Sequence, residues 1–590
     1  MPSFAAITTT RPLSDTDIIK YRDATLRAAL YHPSTVRTFI HQSRRSVVFE
    51  LCGLESAAVS EGPHRSFATL SLFEGRAVDG TEGEFLTTQA VIRRNPDPAR
   101  IQGAFYWLRV NRAGDVLVDY DPLLAIPLYY ATATGLSVIS DRSSICAAIV
   151  GDEAPDPLTG TWVSSLGYAV GERTMFERVR RASVNSKLLS RHGEIVDVPS
   201  GGSPFHRKGF SSGKKKLLAY REAVASLLQA HVKEHGAIRL GLTGGKDSRL
   251  VLSFLLDAGL HHQSEFFVHD FAADRGGGAD AVVAQQIARM FGLNLEVIPR
   301  PSAVSEPPSV DALINRLEAH AFSVDGLTSG WDAIRVSPPS RSRDVDVKGL
   351  YGEVLKHFYK RRAPELSGYS IETTIPTLDP FGAFLEHTKE TLSADLLPVL
   401  ARHAPRRSNS RDFADVFYCT QRLPNWAGVN YGAKRHSSLA FSPLYNRALL
   451  ALPFRVSYKE RQAQRFHHDI ISLVSPELAD IAFANDKWAP HLRRSPPPVT
   501  DPPGIPKHGG WQYTLAKCPE ITSYVTEVIA SSSAAWTAMI DRARVIQTIR
   551  DGSLTPRQIS SMLGLVTTSL FEMGELTAPK TSFVGHFCPD

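Results

Sequence analysis

The stretch Ala237-Ile238-Arg239-Leu240-Gly241-Leu242-Thr243-Gly244-Gly245-Lys246-Asp247-Ser248-Arg249 decides how this chain is read. Ala237 to Leu242 is a short apolar run, as a buried strand requires. From Ser248 to Ala258 the apolar residues recur at helical spacing, and Gly259 stands where a C-terminal cap belongs. Between the two, Thr243-Gly244-Gly245 makes a tight turn whose backbone N–H groups can approach an anion closely, at the positive end of the following helix. Strand, glycine turn and helix in that order form the repeating unit of open α/β sheets, which bind ligands at the carboxyl ends of their strands.

The flanks extend the unit. Leu217, Tyr220, Val224, Leu227 and Leu228 form the stripe of a helix over 217–232. Downstream, Glu265-Phe266-Phe267-Val268-His269 reads as a second strand, followed by the glycine-rich Arg275-Gly276-Gly277-Gly278 and a helix from Asp280 to Phe291. This order predicts an α/β fold with a doubly wound parallel sheet. Residues 311–475 read as mainly helical, and Ser495 to Pro506 as a proline-rich loop. Upstream, residues 1 to 200 carry short β-branched and aromatic segments broken by turns, such as Ser46 to Leu51 and Asp115 to Tyr120, which predicts antiparallel sheet. The Gly-, Pro- and Ser-rich stretch Pro199 to Gly213 separates the two textures, giving domains over 1–205 and 206–590.

Composition narrows the class. The chain has 590 residues, 43% hydrophobic and 21% charged, so it holds more than one core and is neither disordered nor coiled coil. No apolar run approaches the roughly 20 residues that span a bilayer, and Met1 to Thr8 lacks a signal peptide's basic and apolar regions, which predicts a cytoplasmic protein with no membrane partner. Cys52, Cys146, Cys419, Cys518 and Cys588 are scattered without a C-x-x-C pair, so neither a disulfide framework nor a zinc site is encoded. The net charge of +6 is diluted over the whole length, and no basic stripe accompanies the glycine turn; nucleic acid is not an expected partner. Lys214 to Lys216, the run Lys356, His357, Lys360, Arg361 and Arg362, and Arg406-Arg407 read as solvated faces, the middle run with phosphate or acidic substrate groups as its alternative.

The turn is not a Walker loop, because Leu240 stands where that motif needs its first glycine and Asp247 follows the lysine. The spacing resembles the S-G-G-x-D-S loop of the N-type ATP pyrophosphatases, with Thr243 in place of the first Ser, and so resembles the asparagine synthetase superfamily. On that resemblance the hydroxyls of Thr243 and Ser248 and the loop amides are expected to hold a pyrophosphate, and Asp247 to offer a hard oxygen to Mg²⁺. That resemblance implies a degenerate glutaminase-like (Ntn-type) antiparallel β-sandwich domain followed by a PP-loop synthetase domain. It implies ATP and Mg²⁺ as cofactors, with Leu242, Thr243, Gly244, Gly245, Lys246, Asp247, Ser248 and Val268 about the nucleotide. Val347-Lys348-Gly349-Leu350-Tyr351-Gly352-Glu353 resembles the superfamily's second signature, which makes Glu353 the partner of Asp247 on the metal and puts Tyr351 near the catalytic tyrosine of β-lactam synthetases. Asp486-Lys487-Trp488 resembles the segment that sets a lysine against the adenylate, so Lys487 is the implied catalytic cation.

In the first domain, Gly103-Ala104-Phe105, Asp119 to Leu123, Pro127 to Tyr130, Ser140-Asp141 and Arg173 to Phe176 are similar to glutaminase segments, and Ser442-Pro443-Leu444 resembles a further synthetase segment. Family glutaminases attack with a terminal cysteine; the second residue here is Pro2, so the resemblance implies an amine supplied by the substrate. The form Thr-Gly-Gly-Lys-Asp-Ser-Arg-Leu and the stretch from Ser475 to Trp488 look most like the lasso peptide cyclases. Those macrolactam synthetases join the N-terminal amine of a precursor peptide to an Asp or Glu side chain and release AMP and pyrophosphate. A precursor peptide, a leader-peptide-binding protein and a leader peptidase are then the expected partners, with Trp331, Trp426, Tyr431 and Trp488 as candidate cavity walls. β-Lactam-type or other small-molecule amide synthesis, and a non-catalytic ATP-binding scaffold subunit, stay open as alternatives.

Overall fold

The computed structural model describes residues 3–29, 35–52, 65–67, 69–79, 84–200, 213–270, 278–299, 309–333, 346–358, 378–403, 410–434, 440–450, 452–453, 456–484, 487–493, 511, 514–515 and 518–574. Two antiparallel-dominated sheets make up the first third. Strands β1 (Ser3–Thr9), β2 (Thr35–His41), β3 (Ser46–Cys52), β4 (Arg65–Phe67), β8 (Tyr129–Ala133), β9 (Leu136–Ser140) and β10 (Arg180–Arg181) form one, in the order β10-β8-β9-β1-β3-β2-β4. Only β2 and β4 run parallel in it. The other contains β5 (Leu70–Asp79), β6 (Ile101–Val110), β7 (Val116–Tyr120), β11 (Ser186–Arg191) and β12 (Glu194–Pro199), in the order β12-β11-β7-β6-β5.

Period-two alternation stacks these sheets. Phe4 and Ala6 of β1 join Val48, Tyr106, Leu108, Val116 and Val118 in the core between them. Ala5 and Ile7 point the other way, into a core shared with Ile18 of helix α1 (Asp15–Arg27) and Ile145 of helix α3 (Ser143–Val150). Helix α2 (Thr88–Arg94) packs on the second sheet, its Val91 clustered with Phe73 and Phe105. Covered on both faces, β1 is buried along its whole length, which is why it reads as apolar rather than alternating.

The second unit is a parallel sheet. Strands β13 (Ile238–Gly241), β14 (Ser264–Asp270), β15 (Leu295–Pro299), β16 (Asp346–Val347) and β17 (Ala440–Phe441) lie in the order β15-β14-β13-β16-β17, every pair parallel. Helix α5 (Gly213–His235) enters it, and α6 (Lys246–Asp257) and α7 (Ala279–Phe291) connect its first three strands. The chain winds outward from β13 in one direction, then returns to add β16 and β17 on the other side. The order therefore reverses beside β13, and the carboxyl end of that strand is where such sheets open a crevice. Helix α6 begins two residues before the expected Ser248 and ends at Asp257, with Gly259 left-handed just beyond it. The strands β15, β16 and β17 were not expected from the sequence; β16 and β17 have two residues each and so carry no readable period.

Beyond the first unit's own cores, the two units share one. Val78, Leu123, Tyr168 and, from helix α4 (Pro157–Leu166), Trp162 pack in one cluster with Tyr220, Leu227, Phe254 and Trp536 from the second unit. Their joint also carries polar contacts, among them one deep in the core: the Tyr445 hydroxyl donates to Asp121, whose carboxylate also accepts from the amides of Leu123 at 3.1 Å and Ala125 at 3.0 Å. The expected boundary at 205/206, the Arg275 to Gly277 part of the glycine loop, and Ser495 to Pro506 lie outside the described residues. Among the described residues no helix is long and apolar enough to cross a membrane.

Candidate functional site

The glycine turn leaves β13 and is cross-braced by its own hydroxyls. The Thr243 amide donates to Ser248 Oγ at 3.1 Å, the two hydroxyls lie 3.0 Å apart, and the Gly245 amide donates to Thr243 Oγ1 at 3.2 Å. Asp280, on the first turn of α7, accepts the Gly244 amide at 2.9 Å. Any side chain at Gly244 would meet that carboxylate at 3.0 Å and Ala484 Cβ at 2.5 Å, so glycine is required by close approach. Thr243 is exposed, whereas Ser248 is buried.

A distant segment closes the turn. Arg249, fully buried, donates to the carbonyls of Leu478 at 3.2 Å, Ile481 at 2.6 Å and Ala482 at 3.0 Å, and its guanidinium lies 4.0 Å from the Phe483 ring centroid. Burial pulls this guanidinium down to about 9. The Gly244 carbonyl accepts the Ala484 amide at 3.1 Å, and Trp488 Nε1 donates to the Ala479 carbonyl at 2.9 Å. Lys246, expected about the nucleotide, is turned into this segment: its ammonium donates to the Lys487 carbonyl at 2.9 Å and lies 4.4 Å from the Trp488 ring centroid. Lys487 itself is exposed, with its backbone tethered beside the turn.

Asp247 is gripped from both sides. Lys356 Nζ lies 2.6 Å from Oδ2 and His467 Nε2 lies 2.8 Å from Oδ1. Lys356 arrives on the segment after β16, which is pressed onto Asp247: a Cβ on Gly349 would stand 2.7 Å from the Asp247 carbonyl carbon, and one on Gly352 would run into Oδ1. Burial raises the Asp247 carboxyl, but the Lys356 charge and the His467 hydrogen bond outweigh it and hold the group well below the usual carboxylate range. His467 is fully buried, and that burial lowers its imidazole against the opposing hydrogen bond and charge of Asp247.

That arrangement bears on the expected magnesium. Mg²⁺ demands oxygen ligands in near-octahedral geometry, and here both oxygens of Asp247 accept from nitrogen donors, one of them a cation. An ammonium and a divalent ion repel each other on one carboxylate, so this donor set does not fit a resident metal at Asp247. Among the described residues no three His, Cys, Asp or Glu side chains form a metal-holding group. Glu353, half-buried, lies near enough to Tyr418 that its charge and that of Asp247 add to the burial raising the phenol.

Three other expected residues occupy distinct surroundings. Val268 is buried in β14 with its side chain in the core. Tyr351, in the left-handed region with φ 71°, is buried and stacks on Tyr445 at 4.5 Å between centroids; burial, with Asp121 nearby, raises its phenol well above the ordinary value. Its ring therefore belongs to the joint between the two units. Trp488 is buried in the closing segment, while Trp331, Trp426 and Tyr431 are half-buried. Asn485 and Asp486 lie outside the described residues.

Sequence reasoning missed the partners of Asp247. Lys356 was visible as one cation in a basic run read as a solvated face, with phosphate or acidic substrate groups as the alternative; for Lys356 the solvated reading is corrected by its contact with Asp247, and Lys360 to Arg362 lie outside the described residues. His467 lies on the buried face of the helix Arg465–Val474 with Phe466, Ile470 and Ile471, where a histidine in an apolar stripe signals a polar partner. Beside them His357, Asp415 and Arg461 form a fully buried network, with Asp415 3.0 Å from His357 Nδ1 and 2.7 Å from Arg461 Nε.

No family model matches this chain, and no curated protein matches it. Solved structures similar to it include an allosteric regulatory enzyme of purine biosynthesis, at 9% identity over 52% of this chain and 82% of that one, with a TM-score of 0.23. Glutamine phosphoribosylpyrophosphate amidotransferase from B. subtilis, complexed with ADP and GMP, is similar at 10% identity over 50% of this chain and 90% of that one, again with a TM-score of 0.23. At that score neither likeness bears on what this chain does.

Proposed function

We propose that the chain is an ATP-dependent, AMP-forming amide synthetase, and within that class a lasso peptide cyclase. The observation that carries the proposal is the place of the Thr243 to Ser248 turn: at the carboxyl end of β13, where the parallel sheet reverses its order, and at the start of α6. ATP, consumed as a substrate, supplies the activation of a carboxylate, with pyrophosphate leaving and AMP released when the amide forms. The exposed Thr243 and the positive end of α6 face the leaving pyrophosphate. Lys487, tethered beside the turn, stabilises the oxyanion and the departing AMP.

The thiols bear on the source of the amine. Three of the cysteines, Cys146, Cys419 and Cys518, are buried, and burial pushes the thiols of Cys146 and Cys419 upward, so none of these three serves as a glutaminase nucleophile. An amine within the substrate is consistent with that, and the resemblance of the turn and of residues 475–488 to lasso cyclases supports a peptide. The test is incubation with ATP, Mg²⁺ and precursor peptides bearing Asp or Glu at ring-forming positions. AMP, pyrophosphate and a peptide lighter by one water are expected. A small amino acid cyclised in place of the peptide moves the reading to β-lactam-type chemistry, and ADP, or no cleavage with any carboxylate, ends the synthetase reading.

A further inference from the structure

We propose that the cation belonging to Asp247 is Lys356, and that this ammonium is the polyphosphate-binding group of the turn; the proposal rests on the nucleotide reading above. Three observations lead there. First, the Lys356 segment is built to reach Asp247: Gly349 and Gly352 both lie where a Cβ would collide with that residue, and Lys356 follows one turn later with Nζ 2.6 Å from Oδ2. Second, the other contact of the carboxylate among the described residues is Nε2 of the buried His467, which orients Asp247 and leaves Lys356 as the lysine that faces it. Third, the amides of Thr243, Gly244 and Gly245 already donate to Ser248, Asp280 and Thr243, so these three backbone donors are engaged within the protein and a side-chain cation adds to what the start of α6 offers a highly charged anion.

A lysine ammonium is a compact point charge with three donors, suited to phosphate oxygens. Asp247 accepts one of them, and the Lys356 side chain keeps 18% exposure, so an anion reaches it without unpacking the segment. Asp247 and His467 are then positioning residues, holding the ammonium at the mouth of the turn. The ligand class is the pyrophosphate moiety of a nucleoside triphosphate, or free pyrophosphate, bound by protein charge rather than through a metal fixed on Asp247.

The experiment titrates the full-length protein with inorganic pyrophosphate in EDTA, by calorimetry. Wild type binds; Lys356→Met weakens binding about tenfold or more, the size of one lost charge-assisted hydrogen bond, and Lys356→Arg restores most of it. Lys233→Met, at an exposed lysine paired with Glu84, leaves binding unchanged. A second readout needs no variant: pyrophosphate protects Lys356 of the wild-type chain from amine acylation, followed by mass spectrometry. Equal pyrophosphate affinity in wild type and a folded Lys356→Met, absence of protection, or wild-type binding only when Mg²⁺ is added overturns the proposal while leaving the synthetase reading standing. Wild type that binds neither pyrophosphate nor MgATP overturns both.

Discussion

Asp121 and Asp247 are two carboxylates sunk into the same molecule and treated in opposite ways. Asp121, at the joint between the two units, accepts from backbone amides and from the Tyr445 hydroxyl, all of them neutral. Burial still wins, and its carboxyl is pushed up to about 6. Asp247, beside the glycine turn, has two side-chain partners among the described residues, but one is an ammonium, and its carboxyl is held down. Neutral donors fix a carboxylate in place; a facing cation keeps it charged. The first arrangement suits a fastening, the second a site that handles charged ligands.

The contrast can be broken at several points. The largest effect is expected at the exposed lysine of the site: Lys487→Ala lowers turnover about a hundredfold or more, equivalent to about 3 kcal/mol of transition-state stabilisation, while urea unfolding stays unchanged. Near-normal turnover removes Lys487 from the chemistry. At the fastening, the effect is on stability and its pH dependence. Because the Asp121 carboxyl is raised in the folded state, its contribution is fully present below about pH 4 and is lost as the pH rises through about 6. The penalty it accumulates across that window is about 3 kcal/mol, since a tenfold difference in proton affinity between folded and unfolded chains is worth about 1.4 kcal/mol. Asp121→Asn removes that dependence, so the difference in unfolding free energy between wild type and variant changes with pH across the window; a constant difference contradicts the assignment.

Smaller effects sharpen the comparison. Gly349→Ala forces a Cβ against the Asp247 backbone and is expected to cost about 2 kcal/mol in unfolding free energy by overpacking, with a loss of nucleotide binding larger than the loss of stability. Tyr445→Phe keeps the stack on Tyr351 and removes the hydroxyl that donates to Asp121 and accepts the Leu123 amide, at a cost of about 1.5 kcal/mol and no change in nucleotide affinity. If Tyr445→Phe instead impairs nucleotide binding as strongly as Gly349→Ala, fastening and site are a single device.

The parts of this architecture that were legible in the sequence are those that carry a pattern. The α5-β13-α6-β14-α7 run was readable because strands of four to seven residues alternate with long apolar stripes around a glycine turn. The sheet's other side was not, since β16 and β17 are fixed by hydrogen bonds between remote two-residue segments, which leave no local trace. The same division runs through the site. Thr243, Gly244, Gly245, Asp247 and Ser248 are neighbours in sequence and were found together. Lys356 and His467 meet Asp247 from more than a hundred and more than two hundred residues away, and no spacing encodes such a meeting. Lys246 was expected about the nucleotide on the resemblance of its loop, and nothing in that local pattern showed that its ammonium is turned to the Lys487 carbonyl and to the aromatic faces of Phe483 and Trp488.

Gly349, Tyr351 and Gly352 lie within four residues of one another, yet the glycines bear on Asp247 while the tyrosine between them stacks on Tyr445 and thereby on Asp121. One short span thus touches the ligand-facing turn and the fastening of the front unit at once. For anyone dividing this chain into exchangeable modules, the cut between sandwich and parallel sheet is not a neutral one. Removing the first 200 residues strips Asp121 from Tyr445 and leaves Tyr351 without the joint that sets it, so the truncated half carries its turn on an unsupported segment. The front unit is therefore part of the mould in which the site is cast.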